Sequence, residues 1–202
     1  MENENKKIFN NIARNYNNKW VDNKTEEKRI EKIVSYFGLK KGMTIMEPGC
    51  GKGDFTPFIL KKIGKEGFIY LVDISDEMLK YARKKVGKYK NIKFINSCAS
   101  EIPIKEKSID AVIAFNSFPH FYPKQRFVKE FYRVLKEKGF LIIAHDIPKK
   151  EINNIHKKAK FNMNKNSLPS RKEMFKILKK QGFVVEKYIN KGYYLLKAVK
   201  SN

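Results

Sequence analysis

With 202 residues, 42% of them hydrophobic, the chain holds enough apolar material for one well-packed core and too little for two. Its N-terminus, MENENKK, has no apolar stretch of signal-peptide type, and runs such as Ala111 to Phe115 and Phe140 to Ala144 fall far short of a bilayer span. Cys50 and Cys98 are the only cysteines, which excludes a disulfide framework and suits a reducing compartment, so a cytoplasmic location without membrane attachment is expected.

The net charge of +23 raises a nucleic-acid partner as a reading. Nearly all of the basic residues are lysines, however, with arginine only at 14, 29, 83, 126, 133 and 171. Lysine lacks the planar fork that suits arginine to phosphate and base recognition, so a solvated lysine-rich surface is the preferred explanation.

In chain order, apolar positions at helical spacing (Ile8, Phe9, Ile12, Tyr16, then Ile30, Ile33, Val34, Phe37) predict helices over 4–18 and 24–37, the second ended by Gly38. From Gly42 the pattern alternates. Thr44–Glu47 reads as a short buried strand, followed by a glycine-rich turn and a helix near Asp54–Ile63. Phe68–Val72 is a second strand, after which Ser75 caps a helix with Asp76 and Glu77 in its first turn. Strands are expected at Ile92–Asn96 and Ile109–Phe115, then a helix over Lys124–Lys136 ended by Gly139, and a strand at Phe140–His145. Helical segments at about 150–160 and 170–181 precede strands at Val184–Ile189 and Tyr193–Val199, with Gly192 placed for a tight hairpin turn.

This alternation predicts an α/β fold of Rossmann-like type. Its sheet has seven strands, mostly parallel, with an antiparallel C-terminal hairpin strand and helices on both faces. In such sheets ligands bind outside the carboxyl ends of the strands, where the strand order switches.

The segment Glu47-Pro48-Gly49-Cys50-Gly51-Lys52-Gly53 lies between the first strand and the following helix. Its glycines permit sharp turns and close approach of a ligand to the main chain. The spacing is G-x-G-x-G, not the dinucleotide G-x-G-x-x-G, so no pyrophosphate cradle is spelled out. Asp73 ends the second strand, 20 residues after Gly53, where an acidic side chain accepts hydrogen bonds from ribose hydroxyls. Met78, one turn into the next helix, is placed either against an adenine edge or in the core.

These motifs, with N-S-C-A-S-E-I-P, S-I-D-A-V-I-A-F and R-V-L-K-E-K-G-F-L-I-I after them, resemble in order and spacing the class I S-adenosylmethionine (SAM)-dependent methyltransferases. The likeness runs from about Phe9 to Val199 and is nearest to the small-molecule branch that includes the quinone-biosynthesis enzymes. It implies SAM as cofactor, with Glu47, Gly49, Gly51 and Gly53 receiving its methionine end. By the same resemblance Asp73 holds the ribose, Ile74 and Met78 flank the adenine, Ala99 offers it a backbone amide, and Asn116 lies beside the sulfonium. F-N-N-I-A-R-N-Y resembles the family's lid, placing Tyr16 near the methionine carboxylate. One methyltransferase domain over 1–202 is therefore expected, with residues 1–40 as a helical lid and 41–202 as the SAM-binding core. The sequence departs from the family at Cys98, where an aspartate is usual as acceptor for the adenine amino group, and at Pro48.

Methyl transfer is an in-line displacement, so the protein's share is to position a nucleophile and take its proton where needed. Histidine titrates near neutral pH and suits that role. His120 follows the fourth strand, His145 ends the fifth before Asp146, and His156 lies on the next helix, so all three are expected around one pocket. They read as a base assisted by Asp146, or as a cluster for a metal ion or soft acceptor, although their spacing matches no standard zinc motif. Phe115, Phe118, Phe121 and Tyr122 would give aromatic walls.

Asn116-Ser117-Phe118-Pro119 is not the Asn/Asp-Pro-Pro-aromatic run of base amino-methylation, and both cysteines sit in cofactor motifs. A small-molecule acceptor, or a metalloid-like one held by histidine, remains. The alternatives are an RNA methyltransferase, a SAM-binding regulatory module and, last, a nucleotide-linked dehydrogenase. Oligomeric state leaves no trace in the sequence.

Overall fold

A computed structural model describes residues 2–15, 24–158 and 165–201. The described residues contain seven strands of a mixed sheet, and the backbone clusters into two compact units, residues 1–99 and 100–202.

The first unit holds α1 (Glu2–Asn15), α2 (Lys24–Ser35), β1 (Thr44–Pro48), α3 (Thr56–Ile63), β2 (Phe68–Asp73), α4 (Asp76–Val86) and β3 (Ile92–Asn96). Its strands are parallel and in step, Pro48 opposite Val72 and Asp73 opposite Asn96. Parallel strands need crossover connections, and α3 and α4 supply them. Ile45, Met46, Ile69, Leu71 and Val72 are buried, so β1 and β2 read as continuous apolar runs. Ser75 caps α4 by accepting from the Met78 N–H at 3.0 Å, while Met78, Leu79, Ala82 and Val86 bury one helical stripe.

The second unit holds β4 (Ile109–Phe115), a 3-10 turn at Phe118–His120, α5 (Lys124–Val134), β5 (Leu135–His145), α6 (Lys149–Lys158), α7 (Arg171–Gln181), β6 (Phe183–Lys191) and β7 (Tyr193–Lys200). β4 and β5 are parallel, whereas β7 runs antiparallel to both β5 and β6. The hairpin turns at Gly192, whose φ of +74° suits glycine. A reciprocal Ser170–Glu173 capping box starts α7.

Several element boundaries differ from expectation by one or two residues, and one of them changes the kind of element. α5 ends at Val134 instead of Lys136, because Leu135, fully buried, already pairs with Ile109 at the start of β5. Pairing resumes only at Phe140 opposite Ala111, so the intervening residues bulge out of the ladder. Lys138 takes a φ of +60° there, and a Cβ at Gly139 would stand 2.8 Å from the Lys136 carbonyl. Gly139 thus serves a bulge, not a helix end. No helix among the described residues is long and apolar enough to cross a membrane.

Candidate active site

In the first unit the site is built on the turn that leaves β1. Gly49, Gly51 and Gly53 have φ of +67°, +54° and +76°, and the Val72 carbonyl accepts from the N–H groups of Gly49 (2.8 Å) and Cys50 (3.2 Å). A Cβ at Gly51 would meet nothing within 4 Å, whereas one at Gly53 would lie 3.3 Å from both Cα and Cβ of Ala82. Gly51 leaves bare backbone facing open space; Gly53 lets α4 pack closely.

Asp73 closes the turn. Its Oδ2 accepts from the Gly51 N–H at 2.8 Å and its Oδ1 from the Ser75 N–H at 2.9 Å. Burial pushes its pKa up to about 6 against the pull of these amide bonds. Each oxygen retains acceptor capacity for a further donor. Glu47, only 3% exposed, accepts from the Thr56 hydroxyl at 2.9 Å. Burial pushes its pKa up to about 8, Thr56 works against this, and the charges of Asp54 and Asp73 add to it. Two buried carboxylates beside exposed main chain fit a ligand that brings hydroxyl donors and a cation. SAM, with its ribose and ammonium group, has that donor set.

Around this pair, Ile74 is half-buried, Met78 and Ala99 are buried, and Cys98 is half-buried. Burial also pushes the Cys50 thiol well up, so it stays protonated. Tyr16 lies outside the described residues. Three supporting residues escape sequence reasoning. Thr56 braces Glu47. Asn96 donates to the carbonyls of both Asp73 and Ile74 at 3.0 Å. Asn10 of α1 bonds to Ser75 at 2.6 Å and to Asp76 at 3.2 Å. Each pairs with a residue distant in the chain except Thr56, which stands nine positions after Glu47.

In the second unit Asn116 adopts a φ of +50°, donates its N–H to Ala144 (2.9 Å) and accepts from the Asp146 N–H through Oδ1 (3.4 Å). These bonds join the carboxyl ends of β4 and β5. The three histidines gather nearby. The rings of His120 and His156 lie 4.8 Å apart at 35°, and both bear electrostatically on His145. Asn166 bridges the pair, with Oδ1 3.1 Å from His120 Nδ1 and its carbonyl accepting from His156 Nδ1. That carbonyl can only accept, which places the proton of neutral His156 on Nδ1.

His145 is 3% exposed, stands edge-on to Tyr194, and its buried Nε2 has no hydrogen-bond partner among the described residues. Burial pushes its pKa down to about 3, and that of His120 to about 4 although the latter side chain keeps some exposure. Lys124, unforeseen in the sequence, is buried and donates to the carbonyls of Pro119 (2.7 Å) and Lys165 (3.2 Å), with its pKa pushed down to about 7. Phe115, Phe118 and Phe121 are buried, the last stacked on Phe127 at 4.8 Å, while Tyr122 is exposed. Among the described residues no three His, Cys, Asp or Glu side chains are grouped to hold a metal ion.

A mixed seven-stranded sheet with an antiparallel end, joined to a glycine turn that a β2 carboxylate closes, defines the class I SAM-dependent methyltransferases. The chain belongs to the methyltransferase domain family, whose model matches residues 39–182, and SAM is its cofactor. It is 27% identical over 141 residues to the demethylmenaquinone methyltransferase of Staphylococcus aureus, covering 67% of this chain and 57% of that one. It is 28% identical over 113 residues to the ubiquinone/menaquinone biosynthesis C-methyltransferase UbiE of Citrobacter koseri, covering 54% and 45%. The chain thus spans about half the length of these relatives. Among solved structures, a SAM-dependent methyltransferase from Aquifex aeolicus superposes with a TM-score of 0.70 at 26% identity, over 89% of this chain and 99% of that one. The Haloferax volcanii methyltransferase solved with the Trm112 activator has the same fold (TM-score 0.78, 15% identity, 96% and 98% covered).

Proposed function

We propose that this enzyme methylates a small organic acceptor bearing a hydroxylated or quinol-like ring, and that His145 faces that acceptor. The carrying observation is the buried Nε2 of His145, unpaired among the described residues, with two further imidazoles acting on it. A buried polar atom without a partner is unfavourable, and a ligand hydroxyl or N–H would satisfy it. The demethylmenaquinone and menaquinone relatives support the choice of ring.

Bound SAM supplies an electrophilic methyl group on a positively charged sulfur. The chain's residues do the rest. Glu47 with Gly49, Gly51 and Gly53 binds the methionine end, and Asp73 takes the ribose hydroxyls. Ile74 and Met78 flank the adenine, the Ala99 amide and Cys98 border its edge, and Asn116 stands beside the sulfur. Residues 1–40, Tyr16 among them, act as the lid of a single domain whose core is 41–202. Burial keeps His145 and His120 uncharged at neutral pH, so each presents a lone pair able to accept a hydrogen bond from the acceptor, and proton removal requires the bound acceptor to raise their basicity above that of the ligand-free protein. His156 and Asp146 complete the set as orienting groups. Replacing His120, His145 and His156 singly by Ala is expected to lower turnover of a quinol acceptor at least tenfold for His145 while SAM affinity stays within twofold. Undiminished turnover in all three would end the proposal.

The second reading, an RNA acceptor, draws on exposed Lys150, Lys157 and Lys158 of α6 and Lys172, Lys176, Lys179 and Lys180 of α7. It demands affinity for RNA that falls steeply with salt. Purified protein free of nucleic-acid absorbance and without salt-dependent RNA binding favours the small acceptor.

A further inference from the structure

The first helix is bonded to the ribose-side carboxylate through a chain of two polar side chains. Asn10 Oδ1 accepts from the Ser75 hydroxyl at 2.6 Å, and the Ser75 N–H in turn donates to Asp73 Oδ1 at 2.9 Å. The amide orientation of Asn10 is fixed by its other end. Nδ2 donates at 3.2 Å to Asp76, a carboxylate that can only accept, so a flipped amide would set oxygen against oxygen. Ser75 is fully buried and its oxygen already accepts from the Met78 N–H, which leaves its single proton for Asn10. Two ion pairs, Lys6 with Asp76 and Arg14 with Glu77, hold α1 along the start of α4 on either side of Asn10.

We infer that Asn10 is a positioning residue for cofactor binding: through Ser75 it sets the Asp73 carboxylate in place to receive the ribose hydroxyls. The inference rests on the reading of Asp73 as the ribose ligand. Without Asn10 the Ser75 hydroxyl must seek another acceptor, and the turn that presents its N–H to Asp73 loses its outer brace. The ion pairs at Asp76 and Glu77 are exposed and contribute little on their own, so the neutral amide is the specific contact.

The test compares S-adenosylhomocysteine with its 2′-deoxyribose analogue by calorimetry on the full chain, as wild type, Asn10→Ala and Asp73→Asn. If Asn10 acts through the ribose contact, Asn10→Ala weakens S-adenosylhomocysteine about tenfold, the loss of roughly one good hydrogen bond, and weakens the deoxy analogue by less than about threefold. Asn10→Leu, which keeps the bulk of the side chain, reports the same split should the alanine variant be unstable. Equal losses for both ligands, or no loss for either, would overturn the positioning role in favour of a purely structural one. Asp73→Asn separates the two levels. If it leaves S-adenosylhomocysteine affinity unchanged, the ribose reading itself is wrong and the role of Asn10 goes with it; if it weakens binding while Asn10→Ala does not, only the coupling fails.

Discussion

The backbone N–H of Gly51 donates to the carboxylate of Asp73 at 2.8 Å across 22 positions of sequence, and this bond joins the end of β2 to the turn that leaves β1. It also orders the chemistry. A carboxylate held by main-chain amides on both oxygens stays in place and keeps acceptor capacity for a further donor.

The two glycines flanking Lys52 separate ligand binding from packing. Gly51→Ala places a methyl group in open space but keeps a left-handed backbone, which disfavours an L-residue by about 1–2 kcal/mol. Its expected signature is that modest stability loss together with a SAM affinity lowered more than about tenfold, since the methyl group stands where the proposed site receives the ligand. Gly53→Ala meets the same backbone penalty and also presses on Ala82 at 3.3 Å, so its unfolding midpoint should fall further. Denaturant unfolding and calorimetry on the two variants check the ordering; equal stability losses would contradict it.

Burial of Glu47 and Asp73 makes the ligand-free protein sensitive to alkali. Both folded pKa values are raised, from 4.5 to about 8 and from 3.8 to about 6. A raised carboxyl pKa means the folded state binds protons more tightly than the unfolded one, so stability is fully present at low pH and drains away as pH climbs from about 4 to about 8. Glu47→Gln should flatten the upper part of that slope and stabilise the protein near pH 8, yet lose SAM binding. A variant whose stability still falls between pH 6 and 8 as in the wild type would refute the assignment.

How much of this was readable in advance depended on the range of the interaction. Gly49, Gly51 and Gly53 announce themselves because a left-handed backbone leaves a residue type behind it, and Asp73 because a strand end at a set distance from a glycine turn has few other uses. Ser75 likewise reveals a cap through its own neighbours. Asn10, Asn166 and Lys124 leave no such mark. Their partners stand 65, 46 and 41 residues away, and an asparagine or lysine in a polar stretch looks the same whether or not it is bonded. The end of α5 was misread for a related reason: Leu135 suits a helix locally, and only its pairing with Ile109 decides for a strand. The three histidines were expected around one pocket because they follow or end β4 and β5 or lie on the next helix, but a His145 Nε2 unpaired among the described residues was not, because burial depends on what surrounds it.

Lys124 ties α5 to the segment before α7. Its amine donates to the carbonyls of Pro119 and Lys165, and Lys124→Met would leave both without that donor, at a cost of about 1–3 kcal/mol. Its folded pKa is depressed from 10.5 to about 7 by burial. The unfolded chain therefore holds this proton more tightly, and the associated stability is present above about pH 10.5 and lost as pH falls toward 7. The wild type should gain stability relative to Lys124→Met as pH rises across that window. A pH-independent difference in unfolding free energy between the two proteins would rule this out.

His145→Phe separates stability from turnover most sharply. Phenylalanine has nearly the shape of the imidazole and no polar atom, so it removes the unpaired Nε2 and can pack edge-on to Tyr194 as the histidine does. Stability at neutral pH should be unchanged or higher. The acid limb should change as well. The folded pKa of His145 is depressed from 6.5 to about 3, so its contribution is present above pH 6.5 and lost as pH falls through that interval, and His145→Phe should hold up better near pH 4. Methyl transfer should nevertheless drop at least tenfold with SAM affinity intact, because the lone pair proposed to meet the acceptor is gone. A His145→Phe protein that is less stable than wild type yet turns over normally would mean that Nε2 has a structural partner and that the acceptor lies elsewhere.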